Sequence, residues 1–338
     1  MDLEMLKTRA FIIQKVRSFF DSRGYLELDT PMLCSDLIPE SCLEVFQTER
    51  LFPKGSRKEN RSLWLIPSPE IWMKKIIAQY RVNVYQICKC FRNGESAGRL
   101  HSSEFTMLEY YTMDADYLDS LSLTEELFKF LTAEDTWLYR GKKENCYIPF
   151  ERITVADAFR KYAGFDLFKS AEKGVDFLEA HARKLDLAPL PKMTIPEIYD
   201  LIFIHAVEPR LKAEKPVALL DYPAFIPCLA KKSDQGSRIM DQTTERWELY
   251  YSGIELANCF SEETNPEKVK DFFLKEEAEK ERTAVIKHNI DHNYWKLFEQ
   301  KEKQGFPCCS GVAMGLDRLI MALTERSSID SVLPFPQE

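Results

Sequence analysis

A chain of 338 residues, 45% hydrophobic and 30% charged, can bury a substantial core and is neither a low-complexity nor a disordered polymer. Its formal charge of −8 argues against broad nonspecific binding of nucleic acid, which needs many Lys and Arg contacts to phosphate, and a large tRNA-gripping surface is not expected. No run of about 18 apolar residues is present to span a bilayer, and Asp2, Glu4, Lys7 and Arg9 interrupt any signal-peptide core, so the cytoplasm is the expected compartment and no membrane partner is expected.

In chain order, Leu6, Ile13, Val16, Phe19 and Phe20 predict an amphipathic helix over 3–22, stopped at Arg23-Gly24. Tyr25 to Leu33 reads as a strand interrupted at Pro31, and Leu63 to Ile66 as a short strand. Pro67-Ser68-Pro69 then opens a helix through Ile77. Val82 to Phe91 and Phe105 to Tyr111 are β-rich and flank a polar loop, Asn93 to Ser103, which makes an antiparallel hairpin. The middle region, about 114–215, reads as mainly helical (Leu118 to Leu131, Val155 to Tyr162, Ile195 to His205) and as packing or specificity elements. Strands resume at Val217 to Leu220 and Trp247 to Phe260, and Ser310 to Gly315 runs into a helix from Leu316. Hairpins with helices grouped between them predict an α+β fold around an antiparallel β-sheet flanked by helices. The nine cysteines, odd in number and without CxxC spacing, read as reduced thiols.

Three stretches carry chemistry. The first is Phe91-Arg92-Asn93-Gly94-Glu95 with Arg99, His101 and Glu104 to Tyr111. An arginine at a strand end beside a charged loop suits polyphosphate, because guanidinium offers fixed paired hydrogen bonds to its oxygens. The second runs from Glu245 to Glu262. Ser252-Gly253 reads as a two-residue turn pairing Tyr251 with Ile254, Tyr250 with Glu255, and Glu248 with Ala257. Glu248 and Glu255 then share a face, and two like charges so placed favour a cation between them, a plausible Mg2+ site. Simple alternation puts Asn258, Phe260 and Glu262 on the opposite face from Glu255, so a common pocket requires a bulge or strong twist. The third, Ser310 to Met321, has small residues that let a ligand approach the backbone, with Arg318 opening a helix. Taken singly, each reads better as ordinary structure: a solvated hairpin tip, exposed strand glutamates, a strand-to-helix turn. His288 and His292 sit four apart, but without a third ligand nearby they read as a surface helix or turn.

With Arg23-Gly24-Tyr25 to Pro31 as motif 1, these stretches resemble the motif set of class II aminoacyl-tRNA synthetases over nearly the whole chain, closest to lysyl-tRNA synthetases. Ser68-Pro69-Glu70, Glu104 to Glu109 and Ile254 to Asn258 are the most telling pieces. The resemblance implies the class II synthetase catalytic fold in a single domain over 1–338, ATP and Mg2+ as cofactors, and a homodimer formed through motif 1. It implies that Arg92 and Arg318 are catalytic, Arg92 holding the α-phosphate, Arg318 stacking on the adenine opposite Phe105, and both stabilising the charge that develops. Asn93, Glu95, His101, Phe105, Glu248 and Gly315 complete the ATP site, and Glu248 and Glu255 carry the metal. Ser68, Glu70, Glu109, Tyr111, Asn258, Phe260, Glu262 and Ala313 form the substrate pocket, with carboxylates selecting a cationic side chain.

Motif 1 begins about twenty residues into the chain, without room for the anticodon-binding domain of lysyl-tRNA synthetases. Length, Lys215-Pro216 to Pro223, Tyr250 to Asn258, and Ala313 where lysyl-tRNA synthetases carry glycine resemble the paralogues that ligate lysine to elongation factor P. That resemblance implies activation of lysine or (R)-β-lysine as an adenylate and transfer to a lysine of elongation factor P, with tRNA not expected as acceptor. A tRNA-charging lysyl-tRNA synthetase-like enzyme and a non-catalytic regulatory paralogue are the alternatives. The chain departs from the family at Gly94, at His101-Ser102-Ser103-Glu104 in place of the usual HNPE, and at Cys259 where glycine is usual.

Overall fold

The structure is a computed structural model describing residues 2–56, 58–94, 98–133, 148–233, 243–299 and 305–336. The chain divides into two compact units, Met1–Ala115 with Glu263–Glu338, and Asp116–Glu262.

In the first unit, helix α1 (Leu3–Asp21) starts on the Asp2 side chain, which accepts the Glu4 N–H, and stops before Gly24 at φ +75°. Its Ile12, Val16, Phe19 and Phe20 are fully buried. The chain then pairs β1 (Leu26–Glu27) parallel with β5 (Val84–Phe91). The expected long strand from Tyr25 to Leu33 is two short pieces, β1 and β2 (Leu33–Cys34), because the chain leaves the sheet ahead of Pro31, which has no N–H to offer a ladder. β2, β4 (Arg61–Leu65) and β3 (Gln47–Arg50) form a small antiparallel sheet in the order β2-β4-β3. Helix α2 (Glu70–Tyr80) follows Ser68-Pro69.

β5 pairs antiparallel with β6 (Glu104–Met113), and β6 with β11 (Cys309–Gly315), giving the order β1-β5-β6-β11. Side chains alternate between faces. On one face Tyr85 and Tyr110 pack on α1, Phe20 lying 4.9 Å from each ring. On the other, the register aligns Gln86 with Glu109, Cys88 with Met107 and Cys90 with Phe105, while Gly311, Ala313 and Gly315 of β11 stand opposite Tyr111, Glu109 and Met107. That face therefore has large polar groups beside a strand of small residues, which leaves space above it.

Helix α9 (Leu316–Leu323) leaves β11 directly, and Asp317 in its first turn is 1% exposed. Its carboxylate takes Arg9 Nη1 at 2.6 Å and the Thr106 N–H at 2.6 Å, and Arg9 Nη2 donates to Thr106 Oγ1 at 2.8 Å. One carboxylate thus ties α1, β6 and α9. Arg9→Met would strand a buried charge, and a fall of roughly 3–5 kcal/mol in unfolding free energy is expected by urea titration. Arg9→Met with Asp317→Leu should recover part of it. The remaining helix, α8 (Pro266–Thr283), is capped by Asn265 and buries Val269 and Phe273. His288 and His292 follow it in a non-helical stretch whose Ile290 bridges Leu37.

The second unit holds β7 (Glu151–Thr154), β8 (Val217–Pro223), β9 (Thr243–Tyr251) and β10 (Ile254–Ser261), ordered β7-β8-β9-β10. β7 pairs parallel with β8, and the other pairs are antiparallel. Helix α3 (Tyr117–Leu131) carries a capping box on Asp116 and Asp119, and the indole of Trp247 donates to the Tyr117 carbonyl at 2.6 Å. The helical middle contains α4 (Val155–Ala158), α5 (Leu167–Glu172), α6 (Val175–Lys184) and α7 (Ile195–Ile202), with α4 and α7 each extended by a π-helical turn. Its core residues Phe159, Ile198, Tyr199 and Ile202 cluster with Leu219 and Tyr250 of the sheet. No described helix is long and apolar enough to cross a membrane. Among the described residues the cysteines are free thiols, with Cys34, Cys90, Cys259 and Cys309 buried.

Candidate active site

In the first unit the open face of β6 presents Glu109, 2% exposed. Ser68 Oγ donates to its Oε2 at 2.7 Å and the Tyr111 hydroxyl to its Oε1 at 2.8 Å. Ser68 Oγ in turn accepts the Glu70 N–H at 3.0 Å, which places the start of α2 against the carboxylate. Glu70 Oε1 is bound by Lys74 Nζ at 2.6 Å and by the Tyr294 hydroxyl at 3.2 Å. Burial pushes the Glu109 carboxyl up to about 8, with the Glu70 charge adding to the rise, while the bonds from Ser68 and Tyr111 and the Lys74 charge oppose it. Ser68, Glu70, Glu109 and Tyr111, which the resemblance places in one pocket, are thus brought together. Lys74 and Tyr294 were not anticipated. Lys74 carries a signal, since a lysine four positions after a glutamate on a helix faces it; Tyr294 lies far away in sequence and has none.

Arg92 follows β5, and its N–H is fixed on the Ser103 carbonyl at 3.0 Å. The guanidinium lies over the Phe105 ring, 5.2 Å from its centre, and its Nε is buried without a hydrogen-bond partner. A buried, unsatisfied guanidinium nitrogen is costly unless a ligand completes it. Asn93 is otherwise engaged: its N–H donates to the Glu44 carbonyl at 2.9 Å, Nδ2 to the Val45 carbonyl at 3.3 Å, and Oδ1 accepts the Gly94 N–H at 2.9 Å. It braces the loop after Pro39 against the root of the hairpin. That loop also holds Glu40, whose carboxyl is raised to about 7 by burial, then by the Glu70 charge, with Arg92 and Lys280 opposing. Glu95 lies outside the described residues. His101 is partly buried in the segment before β6. Arg318, in the first turn of α9, donates from Nε to the Leu100 carbonyl at 3.1 Å, and its stem passes Gly315.

In the second unit, Ser252 at φ +54° and Gly253 at φ +76° form the two-residue turn, both central residues left-handed as such a hairpin requires. Tyr251 pairs with Ile254 and Tyr250 with Glu255, as expected. The expected pairing of Glu248 with Ala257 is replaced: the register shifts between Glu255 and Ala257, and Glu248 pairs with Asn258 and Arg246 with Phe260. The cause is a bulge at Leu256, one extra residue that reverses the alternation beyond it. Glu248, Glu255, Asn258 and Phe260 therefore share one face, correcting the opposite-face placement of Asn258 and Phe260. Glu262, past the end of β10, is buried and bridges Ala230.

Glu248 is 8% exposed. Arg246 Nη2 binds its Oε1 at 2.5 Å and the Tyr250 hydroxyl binds its Oε2 at 2.6 Å. Arg246 Nε reaches Asn258 Oδ1 at 3.3 Å, and the guanidinium lies 4.2 Å from the centre of the Tyr222 ring. Burial works against the Arg246 charge, but Glu248, with Tyr222, Cys228 and Tyr199 adding to it, raises its pKa overall and holds the guanidinium charged. Arg246 was missed because an arginine two residues before a glutamate on a strand looks like any solvated alternation.

Comparison with known proteins aligns residues 2–338 with the family described as tRNA synthetases class II (D, K and N). The chain is 33% identical over 336 residues to the elongation factor P--(R)-beta-lysine ligase of Avibacterium paragallinarum, covering 99% of this chain and 96% of that one. It is also 33% identical over 336 residues to the ligase of the same name from Vibrio atlanticus, again with 99% and 96% covered. The lysine--tRNA ligase of Pelotomaculum thermopropionicum is 33% identical over 339 residues, covering 98% of this chain but 63% of that protein.

Proposed function

Because the chain belongs to the class II tRNA synthetases of the D, K and N group, we propose that it activates lysine or (R)-β-lysine with ATP and passes the aminoacyl group to a lysine ε-amino group of elongation factor P. The observation that carries the substrate class is Glu109, a buried carboxylate held between Ser68 and Tyr111 with Glu70 beside it. A carboxyl withdrawn from water ionises to match a cationic ligand and gains no such pairing from a neutral one. The near full-length similarity to the two ligases supports elongation factor P as acceptor over tRNA, as does the net charge of −8. The family alignment running through both units supports one catalytic domain over the whole span.

In the first step a substrate carboxylate oxygen attacks the α-phosphorus of ATP and pyrophosphate leaves. Arg92 and Arg318 stabilise the charge that develops on the α-phosphate oxygens, and Phe105 offers its ring to the adenine. Glu70 meets the amino group near the reacting carboxylate, and Glu109 with Tyr111 receives the distal ammonium. In the second step the acceptor amine attacks the acyl carbon, the C–N bond forms and AMP leaves. No protein nucleophile is required.

The carboxylates of Glu248 and Glu255 on one strand face are hard oxygen donors of the kind that hold Mg2+. That ion, when bound, supplies positive charge to the polyphosphate. Asn258, Phe260 and Glu262 are the second unit's further substrate positions. A cytoplasmic homodimer is the proposed working form, on the strength of motif 1.

The test is lysine- and β-lysine-dependent ATP–pyrophosphate exchange, followed by mass analysis of elongation factor P. Exchange with at least one of the two amino acids and a gain of one lysyl or β-lysyl mass on the factor are expected. Exchange followed by charging of bulk tRNA, with the factor unmodified, would favour the second reading, which the similarity to a lysine--tRNA ligase keeps open.

A further inference from the structure

We propose that Lys74 is a positioning residue of the amino-acid site: its ammonium fixes the Glu70 carboxylate and supplies the positive charge against which Glu109 receives the substrate's ammonium. The inference rests on the reading of Glu70 and Glu109 as substrate carboxylates and adds a residue that does not itself touch substrate.

Lys74, the fifth residue of α2, is 2% exposed, and water does not solvate its charge. Its Nζ lies 2.6 Å from Glu70 Oε1 and 5.9 Å from the centre of the Tyr111 ring, whose hydroxyl donates to Glu109. Ser68 ties the Glu109 carboxylate to the start of α2, donating to Glu109 and accepting the backbone N–H of Glu70. The groups facing Glu109 are therefore Ser68, Glu70 and Lys74 from α2 and the segment before it, Tyr111 on its own strand, Gln86 and the Cys90 thiol from β5 and Ala313 across β11. Gln86 is turned to Thr30, with which it shares two contacts of 2.9 and 3.0 Å. Glu70 faces Lys74, Tyr294 and the Glu40 carboxyl, and Glu40 faces Arg92, Lys280 and Glu276.

Among these groups Lys74 is the cation bonded to Glu70. With it in place one carboxylate is neutralised, and Glu109 keeps a proton in the empty site near neutral pH, its carboxyl standing at about 8. An arriving ammonium favours the ionised form, so Glu109 gives up its proton as substrate binds. Removing Lys74 takes away an influence that lowers the Glu109 value, so ionisation would need a higher pH. The competing explanation is that Lys74 and Glu70 are an ordinary i,i+4 helix pair. Such a pair would affect stability and leave the pH dependence of substrate binding unchanged.

The experiment uses the full chain. KM and kcat for lysine and for β-lysine in ATP–pyrophosphate exchange are measured from pH 6.5 to 9 for wild type, Lys74→Met and Lys74→Arg. In wild type, KM should fall as pH rises towards about 8. In Lys74→Met that fall should move to higher pH, with KM at pH 7 raised about tenfold or more, as one unit of displacement implies, and kcat changed much less. Lys74→Arg should restore the profile. In parallel, lysine binding to wild type is followed calorimetrically at pH 7 in two buffers of different ionisation enthalpy. Release of most of a proton is expected, and none in Glu109→Gln. A wild-type profile in folded Lys74→Met, or binding of lysine without proton release, overturns the proposal. Should Lys74→Met fail to fold, the same pH profile in Lys74→Gln decides, a wild-type profile there overturning the proposal. Wild type that binds lysine with proton release yet shows no exchange would instead contradict the adenylate-forming reading.

Discussion

Arg92→Ala is expected to lower kcat/KM for amino-acid-dependent ATP–pyrophosphate exchange by roughly 10²–10³-fold, the range for removing one donor aimed at developing negative charge. The expectation comes from how the residue is held. Its backbone N–H is bonded to Ser103, its guanidinium rests over Phe105, and its Nε is buried without a protein partner. A group fixed in place with a donor unspent is preorganised, and little of its binding energy is lost in ordering it. Arg92→Lys should recover only part of the activity, because an ammonium is a point charge without the planar fork that spans two phosphate oxygens. Thermal unfolding should change little or rise slightly in Arg92→Ala, since the buried orphan nitrogen is removed. Exchange within a fewfold of wild type in that variant would remove Arg92 from the reaction.

Deletion of Leu256 is the second large effect. The bulge there is what carries Asn258 and Phe260 to the face of Glu248 and Glu255. Without it the hairpin must pair by simple alternation. Arg246 anchors the far end through Glu248 and Asn258, so the near end yields and Glu255 turns to the opposite face. Magnesium-dependent exchange should fall by at least about a hundredfold, as displacements much smaller than a change of face already cost that much. Leu256→Ala is the control. It keeps the extra residue and loses a side chain that is 2% exposed, so stability should drop by roughly 2–5 kcal/mol in denaturant titration while the magnesium dependence is kept. A folded deletion variant that retains magnesium-dependent exchange would disconnect the bulge from the metal.

Much of the scaffold was legible because its periodicities are strong. The Phe19-Phe20 ridge of α1, the hairpin on either side of Asn93 to Ser103, the Ser252-Gly253 turn and the run from β11 into α9 all lie where apolar spacing and turn residues put them. Helix α8 was not read at all, although Asn265-Pro266 is a start signal, because only Val269, Phe273 and Lys280 of it are buried and a mainly polar helix has little apolar stripe to detect. β7, α5 and α6 escaped for a related reason, being short elements stabilised by a cluster assembled from distant segments.

At the candidate active site the sequence by itself determined the chemical inventory: an arginine at a strand end, paired glutamates on a hairpin and small residues along β11, with the acidic set around Glu109 coming from the family resemblance. Local pattern suffices for that inventory and for the Ser252-Gly253 turn, while the faces beyond Leu256 depend on a bulge that alternation does not reveal. The tertiary structure alone decided which charges are balanced and by what. Lys74 meets Glu70 inside the fold, Tyr294 reaches the same carboxylate from a segment far along the chain, and Asn93, expected in the ATP site, braces the loop after Pro39. Burial sets the protonation of Glu109, and a single extra residue at Leu256 sets the face of Asn258. Desolvation and register are properties of the assembled neighbourhood, and no spacing along one strand encodes them.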